Sequence, residues 1–547
     1  MKTITGGQAA VEALKALGVR HVFGIVSVHN IPIYDAILQD GTITPIGVRH
    51  EQGAVHAADA YARVTGKLGV AITSTGPGAA NAVTALYEAG FASSPVLMLT
   101  GQIEADFYGK GKGFLHEAEN QLAMLRTVTR RTESVRRTED IAPTIISVAH
   151  DIQVGRPQPG AIEIPVNLQY AQAEVTIPAV EPPTRIQPSP AGIAAAAERL
   201  RKAHRPLIWA GGGVISAGAT RALQQLAETL NAPVVTSTNG RGAIPEDHPL
   251  CLGPLAADPR VEPAIAGADV TFAVGTRFQA GATRQWAMKV PGDLVHLDAD
   301  PGVIGRNYHP AVRIVGDAHL GLTAILETLG QAAGAEPEFT ARAQGARDEA
   351  RLAIRKQIGP DFEAIMDTMR ELLPRDGNIV RDATVPAYLW GNRLIPILAP
   401  RTSLQPTSAA IGPGLPLAIG AAIGSGKKTA LIQGDGGLML SIGELATAVQ
   451  HNAPVIVCVF NDRGYGILRT IQSNTFEGRQ TGVDLATPDF AAVARAMGMA
   501  GETVKGVDAF RAAFARAMAA DGPVLLDIDM SALQPMMSAV RPQRPAS

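Results

Sequence analysis

The chain reads as an α/β protein of three domains built on parallel sheets, and three observations carry that expectation. Helical patterns alternate with short β-branched runs along the whole length, as they do where each strand is followed by a crossover helix. Val70-Ala-Ile-Thr, Pro95-Val-Leu-Met-Leu, Leu207-Ile-Trp-Ala, Val270-Thr-Phe-Ala-Val and Pro454-Val-Ile-Val-Cys-Val-Phe are apolar without alternation, the pattern of strands covered on both faces. Two stretches break the rhythm. Residues 178–190 (PAVEPPTRIQPSP) are too proline-rich for a helix or central strand and read as a linker, and residues 331–350 (QAAGAEPEFTARAQGARDEA) bridge a second boundary. The expected domains are 1–175, 191–330 and 351–533. The first and third are similar in size, but the sequence alone does not relate them.

Composition narrows the class. Of 547 residues 46% are hydrophobic and 18% charged, which supplies large cores and excludes a mostly disordered chain. Lysine and arginine total 48 against 50 acidic residues, a net charge of -2, so neither a nucleic acid nor a membrane is expected as partner. Two cysteines, Cys251 and Cys458, rule out a disulfide scaffold and a cysteine-ligated zinc site, and fit the cytoplasm. The amino-terminal segment carries Ala10, Val11, Leu14 and Leu17 at helical spacing rather than the continuous apolar run of a targeting signal. Residues 402–426 carry no charge, but Pro406, Pro413 and Pro416 interrupt them, against a membrane span.

The most specific segment runs from Gly434 to Leu468. A strand ends in Gly434-Asp435-Gly436, a helix is expected next with Leu440, Leu445, Ala448 and Val449 on its inner side, and a further strand delivers Asn461-Asp462, 27 residues after Asp435. Open α/β sheets bind ligands at such strand ends, glycines let backbone approach phosphate, and a helix N-terminus adds donors. Mg²⁺ takes hard oxygen ligands and completes its shell with phosphate, a role open to Asp435 and Asp462. By themselves these residues also read as a turn and a helix cap.

The whole array resembles the cofactor motif of the thiamine diphosphate (ThDP)-dependent enzyme superfamily, GDG followed after just under thirty residues by NN, with Asp462 replacing the second Asn. The resemblance implies that Gly434, Asp435, Gly436, Gly437, Asp462 and Tyr465 hold the diphosphate, and that Asp435, Asp462 and the Gly464 carbonyl bind Mg²⁺. Val48-Arg49-His50-Glu51-Gln52-Gly53-Ala54, with Ala57 to Arg63, is similar to the "RHE…A…A.GYAR" signature of the decarboxylase and acetolactate synthase-like branch. Glu51 falls on its catalytic glutamate, which partners N1′ of the aminopyrimidine so that the N4′ imine can take the C2 proton. Alone, Glu51 would read as a helix N-terminal acid stabilised by the dipole. Thr73-Ser-Thr-Gly76-Pro-Gly-Ala-Ala-Asn81 resembles the "TSGPGATN" loop beside the pyrimidine, and Ser408-Ala-Ala-Ile411-Gly-Pro-Gly-Leu-Pro416 a segment ending "MGFGLP". Ile411 would be the wedge that keeps the cofactor bent, a task suited to a stiff β-branched side chain.

At the substrate end the motifs thin out. The loop Phe23-Gly24-Ile-Val-Ser-Val-His29-Asn30 lacks the "YPGGA" of acetolactate synthases, while benzaldehyde lyase carries a His at the place of His29. His116, in Phe114-Leu-His116-Glu117-Ala-Glu-Asn-Gln, aligns with that enzyme's active-site Gln region. Either imidazole could relay a proton near pH 7, or else cap a turn or sit at the surface. His56 reads as structural or at the pocket edge. In the middle block Leu207-Ile-Trp-Ala-Gly211-Gly212-Gly213 signals a nucleotide only weakly, and Gly240 to Leu250 resembles the FAD-binding synthases without their "GMLGMHG"; FAD is the lesser expectation there.

The resemblance therefore implies a ThDP- and Mg²⁺-dependent lyase or carboligase acting on a 2-oxo acid or 2-hydroxy ketone, acetolactate-synthase-like, with Glu51, His29 and His116 as catalytic residues. Benzaldehyde-lyase-like or benzoylformate-decarboxylase-like chemistry is the alternative, and a non-catalytic ThDP-fold scaffold the alternative of another class. Gly76 and Asn81 would face the pyrimidine. With the cofactor between the first domain of one subunit and the third of another, the implied assembly is at least a homodimer, and a homotetramer in the fuller form.

Overall fold

A computed structural model describes residues 2–536. It contains three six-stranded sheets, each parallel throughout, with helices packed on their faces. Across the first sheet the strands run Thr44–Gly47, His21–Gly24, Gly69–Thr73, Val96–Gln102, Gly160–Pro165 and Arg131–Ser134. Across the last they run Ser403–Leu404, Asn378–Arg381, Thr429–Gly434, Val455–Asn461, Val524–Asp529 and Ala500–Val504. Counted within each sheet, both orders are 2-1-3-4-6-5. The relation between first and third blocks that the sequence left open is thus present in the topology. The central sheet, by contrast, has the order 3-2-1-4-5-6. A separate two-stranded antiparallel pair, Lys2–Thr5 with Gln172–Val175, closes the first unit on itself.

The apolar runs are central strands because helices cover both sheet faces. Val70, Ala71 and Ile72 are fully buried, as are Val455 to Val459. After Val175 the chain has neither helix nor strand until Ser189, whose hydroxyl accepts from the Gly192 N–H and caps the helix Pro190–Lys202. The polar stretch expected to bridge the second boundary forms a 22-residue helix, Pro337–Ile358. Phe339, Ala343, Ile354 and Ile358 sink into a core shared by the second and third sheets, so the bridge is a packed element.

The uncharged stretch before residue 426 ends in the helix Gly414–Ser425, buried against the helix Glu51–Thr65. Among the described residues no helix is long and apolar enough to cross a membrane. The two helices meet at backbone distance: a Cβ on Gly420 would collide with the Ala57 carbonyl, so only glycine fits. One expectation fails here. The segment after Gly434 is broken into Asp435–Met439 and Glu444–Gln450, and Leu440, expected on the inner side, is 57% exposed. Leu440 caps the short first piece and lies against Gly412, while Leu445 and Ala448 take the buried positions.

Candidate active site

In both outer sheets strand order reverses between the first and third strands, and the carboxyl ends of strands at such a reversal are where open α/β sheets bind ligands. In the first sheet these ends carry Ile25 to Asn30 and Ser74 to Gly76; in the last they carry Asp382 and Asp435. The predicted site residues collect at these two edges.

At the first edge Glu51 begins the helix Glu51–Thr65, whose N-cap is His50, with Nδ1 accepting from the Gln52 N–H at 3.2 Å. Asn81 Nδ2 donates to Glu51 Oε2 at 3.0 Å, while Oε1 lies over Gly78. Gly76 stands at φ 57°, ψ −111°, where only glycine is at ease, and a Cβ there would strike the His116 carbonyl. His116 is itself left-handed, φ 62°, and its Nδ1 lies 3.5 Å from Ser74 Oγ. His29 is 2% exposed, its ring tilted against that of His116 with centroids 5.1 Å apart. Burial, with the adjacent His116, holds the His29 imidazolium below the usual histidine range. Its Nδ1 has no hydrogen-bond partner among the described residues. The structure therefore brings His29, Glu51, Gly76, Asn81 and His116 to one edge. His56 lies inside the helix, fully buried.

At the second edge Asp435 Oδ2 accepts from the Gly464 N–H at 2.8 Å. Burial raises the Asp435 pKa, and burial together with the Asp435 charge pushes Asp462 up to about 6. Arg469 lies 3.3 Å from Asp462 and 2.8 Å from Asp484. The Tyr465 ring covers Gly436, and Ile411 Cγ1 stands 3.4 Å from where a Gly437 Cβ would be. Ile411 is 37% exposed on a turn where Gly412 takes φ 102°. No hydrogen bond or ion pair joins these residues to the first edge among the described residues.

Three residues missed in the sequence hold these edges. Asp382, at the end of Asn378–Arg381, accepts from the N–H groups of Gly412 and Gly414 and from Gln433 Nε2, fixing the Ile411 turn; burial raises its pKa. Glu444 reaches across to the first unit and accepts from the backbone N–H of Arg49 and His50, both at 3.1 Å, just before Glu51. Gln121 accepts from the Gly76 N–H at 2.7 Å and from Thr75 Oγ1 at 2.8 Å. A carboxylate directly after an apolar strand was a usable signal for Asp382. Nothing local marks the other two, because their partners are distant in sequence.

The groups implied by the motif can be tested against this geometry. The short helix Asp435–Met439 starts at Gly434, whose lack of a side chain leaves its end uncapped, an arrangement that suits an anionic diphosphate. A buried Asp435 and a half-buried Asp462 beside it, both raised first by burial, suit a divalent cation. No group of three or more His, Cys, Asp or Glu side chains fit for a metal exists among the described residues, so the remaining ligands would be carbonyl, water and phosphate oxygens. The residues fit both groups.

The central sheet adds a cleft of about 490 Å³ beside its own order reversal, lined by Gly212, Gly213, Thr276, Arg277 and Asp298 together with Arg156 of the first unit.

Comparison with known proteins agrees with this geometry. Residues 4–124 match the thiamine pyrophosphate enzyme N-terminal TPP binding domain, 193–325 its central domain and 386–528 its C-terminal TPP binding domain, thiamine pyrophosphate being another name for ThDP. The chain is 37% identical over 508 residues to a probable 2-ketoarginine decarboxylase of Pseudomonas aeruginosa, covering 91% of this chain and 89% of the relative. It is 32% identical to a probable acetolactate synthase large subunit of Methanocaldococcus jannaschii (96% and 91% covered) and 32% identical to the acetolactate synthase isozyme 3 large subunit of Escherichia coli (92% and 90%). The chain belongs to the thiamine pyrophosphate enzyme family. Within it, the protein is a ThDP-dependent enzyme of the decarboxylase and acetolactate synthase-like branch.

Proposed function

We propose that the protein decarboxylates a 2-oxo acid with ThDP and Mg²⁺ and can pass the resulting acyl unit to a second carbonyl, a reading supported by relatives named as a 2-ketoarginine decarboxylase and as acetolactate synthases. The observation that supports this best is the Glu51–Asn81 hydrogen bond on the edge that also carries the His29–His116 pair. Bound here, ThDP would supply a carbanionic carbon and a sink for the electron pair left behind when carbon dioxide departs. Asn81 orients Glu51, whose carboxyl holds a proton at pyrimidine N1′. His29, kept neutral by burial, and His116 beside it move protons to and from the substrate oxygen. Gly434, Gly436, Gly437 and Tyr465 form the diphosphate cradle, Asp435, Asp462 and the Gly464 carbonyl take the cation, and Ile411 supports the rings.

Val28 and Leu115 at the first edge, with Met439 and Leu440 at the second, leave apolar surface open. A second copy covers them and joins one chain's first edge to the other's second; the assembly is a homodimer at least, and a homotetramer in the fuller form. We assign the cytoplasm on two buried free thiols, Cys251 and Cys458. The reaction has no redox step, so FAD in the central cleft would have no chemical part in it. A 2-hydroxy ketone cleavage remains the second reading, favoured by the buried His29 at the place benzaldehyde lyase has one.

Proton NMR of the purified protein with ThDP, Mg²⁺ and either pyruvate or 5-guanidino-2-oxopentanoate tests the proposal. Loss of either acid with appearance of aldehyde or of a 2-hydroxy ketone supports it; both acids left intact would move the assignment to 2-hydroxy ketones. Glu51→Gln should lower turnover by at least about a hundredfold. Wild-type turnover in that variant would end the role given to Glu51.

A further inference from the structure

Beside His29 the first edge opens into a cavity of about 550 Å³ with Val28, Phe114, Leu115 and Tyr170 in its walls and one carboxylate, Glu104. Glu104 follows the strand Val96–Gln102, and its backbone is held on both sides. The Ala105 N–H donates to Asn167 Oδ1 at 3.0 Å, and the Phe107 N–H to the Glu104 carbonyl at 2.9 Å. Its half-buried carboxylate, however, has no hydrogen-bond or ionic partner among the described residues. The rest of the wall is apolar or aromatic apart from His29 at the reacting end and Asn167, whose Oδ1 is taken by the Ala105 N–H; Glu104 is its one charged side chain of fixed sign.

We propose that Glu104 is a specificity-determining residue, and that the cavity takes a 2-oxo acid whose far end carries a cation, a guanidinium or ammonium, paired with this carboxylate. The inference rests on the reading that 2-oxo acids react at this edge. A carboxylate kept partly from water and unpaired is a cost that a cationic ligand removes. The apolar wall suits a methylene chain between the two ends, and the Phe114 and Tyr170 rings can flank a cation. The same charge repels the substrate's own carboxylate, which keeps the 2-oxo end at His29, and it disfavours dicarboxylic 2-oxo acids.

Two measurements on the ThDP- and Mg²⁺-loaded protein test this. The first compares kcat/KM for 5-guanidino-2-oxopentanoate with that for 2-oxohexanoate, in wild type and in Glu104→Gln. The wild-type ratio should favour the cationic acid, and the variant should lower that ratio by about ten- to a hundredfold. A ratio the substitution does not change overturns the inference. The second, by calorimetry, compares binding of 5-guanidinopentanoate and hexanoate, which lack the reactive carbonyl. Tighter binding of the guanidino acid, lost in Glu104→Gln, supports the cation site even if no 2-oxo acid is turned over, in which case the reaction assignment alone falls. Equal binding of the two acids overturns the site whatever the reaction.

Discussion

Glu51 is a helix-initial acid whose surroundings decide its use. The carboxylate is oriented by Asn81 from a neighbouring helix, and the backbone just ahead of it is gripped by Glu444 from the last domain. Asp382 does the corresponding work for Ile411. Asp382→Ala would leave the Gly412 and Gly414 N–H groups buried without partners and should cost about 2–4 kcal/mol, read as a lower urea midpoint at unchanged slope. A second residue-scale effect concerns His56, which full burial pushes down to about 3. In the unfolded chain it titrates near about 6.5. Its contribution is present in full above that pH and lost as pH falls toward 3, because only the unfolded state takes up the proton. Stability should fall by about 1.4 kcal/mol per pH unit below about pH 6 from His56 alone. His56→Gln should flatten that part of a urea-midpoint profile taken between pH 7.5 and 5.

Element against element, the decisive contact is the crossing of Glu51–Thr65 and Gly414–Ser425. Ala57 and Gly420 let the two backbones touch, which carries Glu51 on one helix and the end of the Ile411 turn on the other. Gly420→Ala should force the helices apart, cost about 1–3 kcal/mol and lower kcat, since the Glu51 helix moves with the contact. Thermal unfolding and steady-state turnover of the same preparation check both; an unshifted melting temperature would show that the interface yields without strain. The break after Met439 belongs to this scale too. A continuous helix would bury Leu440, whereas the two-piece form turns it outward beside Gly412 and leaves Glu444 free to reach the first domain.

For the whole molecule, no hydrogen bond or ion pair joins Asp435 or Asp462 to Glu51, His29 or His116 among the described residues, and apolar side chains stand open around both edges. If the working site forms between copies, two inactive variants can complement. Glu51→Gln and Asp435→Asn, each inactive alone, should regain about a quarter of wild-type activity when mixed after subunit exchange, because half the dimers are mixed and each holds one intact site. No recovery in the mixture would place both edges of a site in one chain. Concentration-dependent sedimentation gives the assembly directly.

The sequence by itself determined the class of this protein. Unalternating apolar runs specify strands buried on both faces, and the glycine and carboxylate pattern from Gly434 to Asp462, with Glu51 far upstream, specifies a ThDP enzyme, because both signals are local in the chain. Only the tertiary structure decided the rest. The shared strand order of the outer sheets, the grip of Glu444 on the Glu51 helix, the Asp382 anchor under Ile411 and the pairing of His29 with His116 depend on contacts between distant residues, which no local pattern encodes. Glu104 makes the point most simply. In sequence it is one more acid in a loop, and only the fold, by placing it in an apolar-walled cavity beside His29 and giving it no partner, makes its charge available to a ligand.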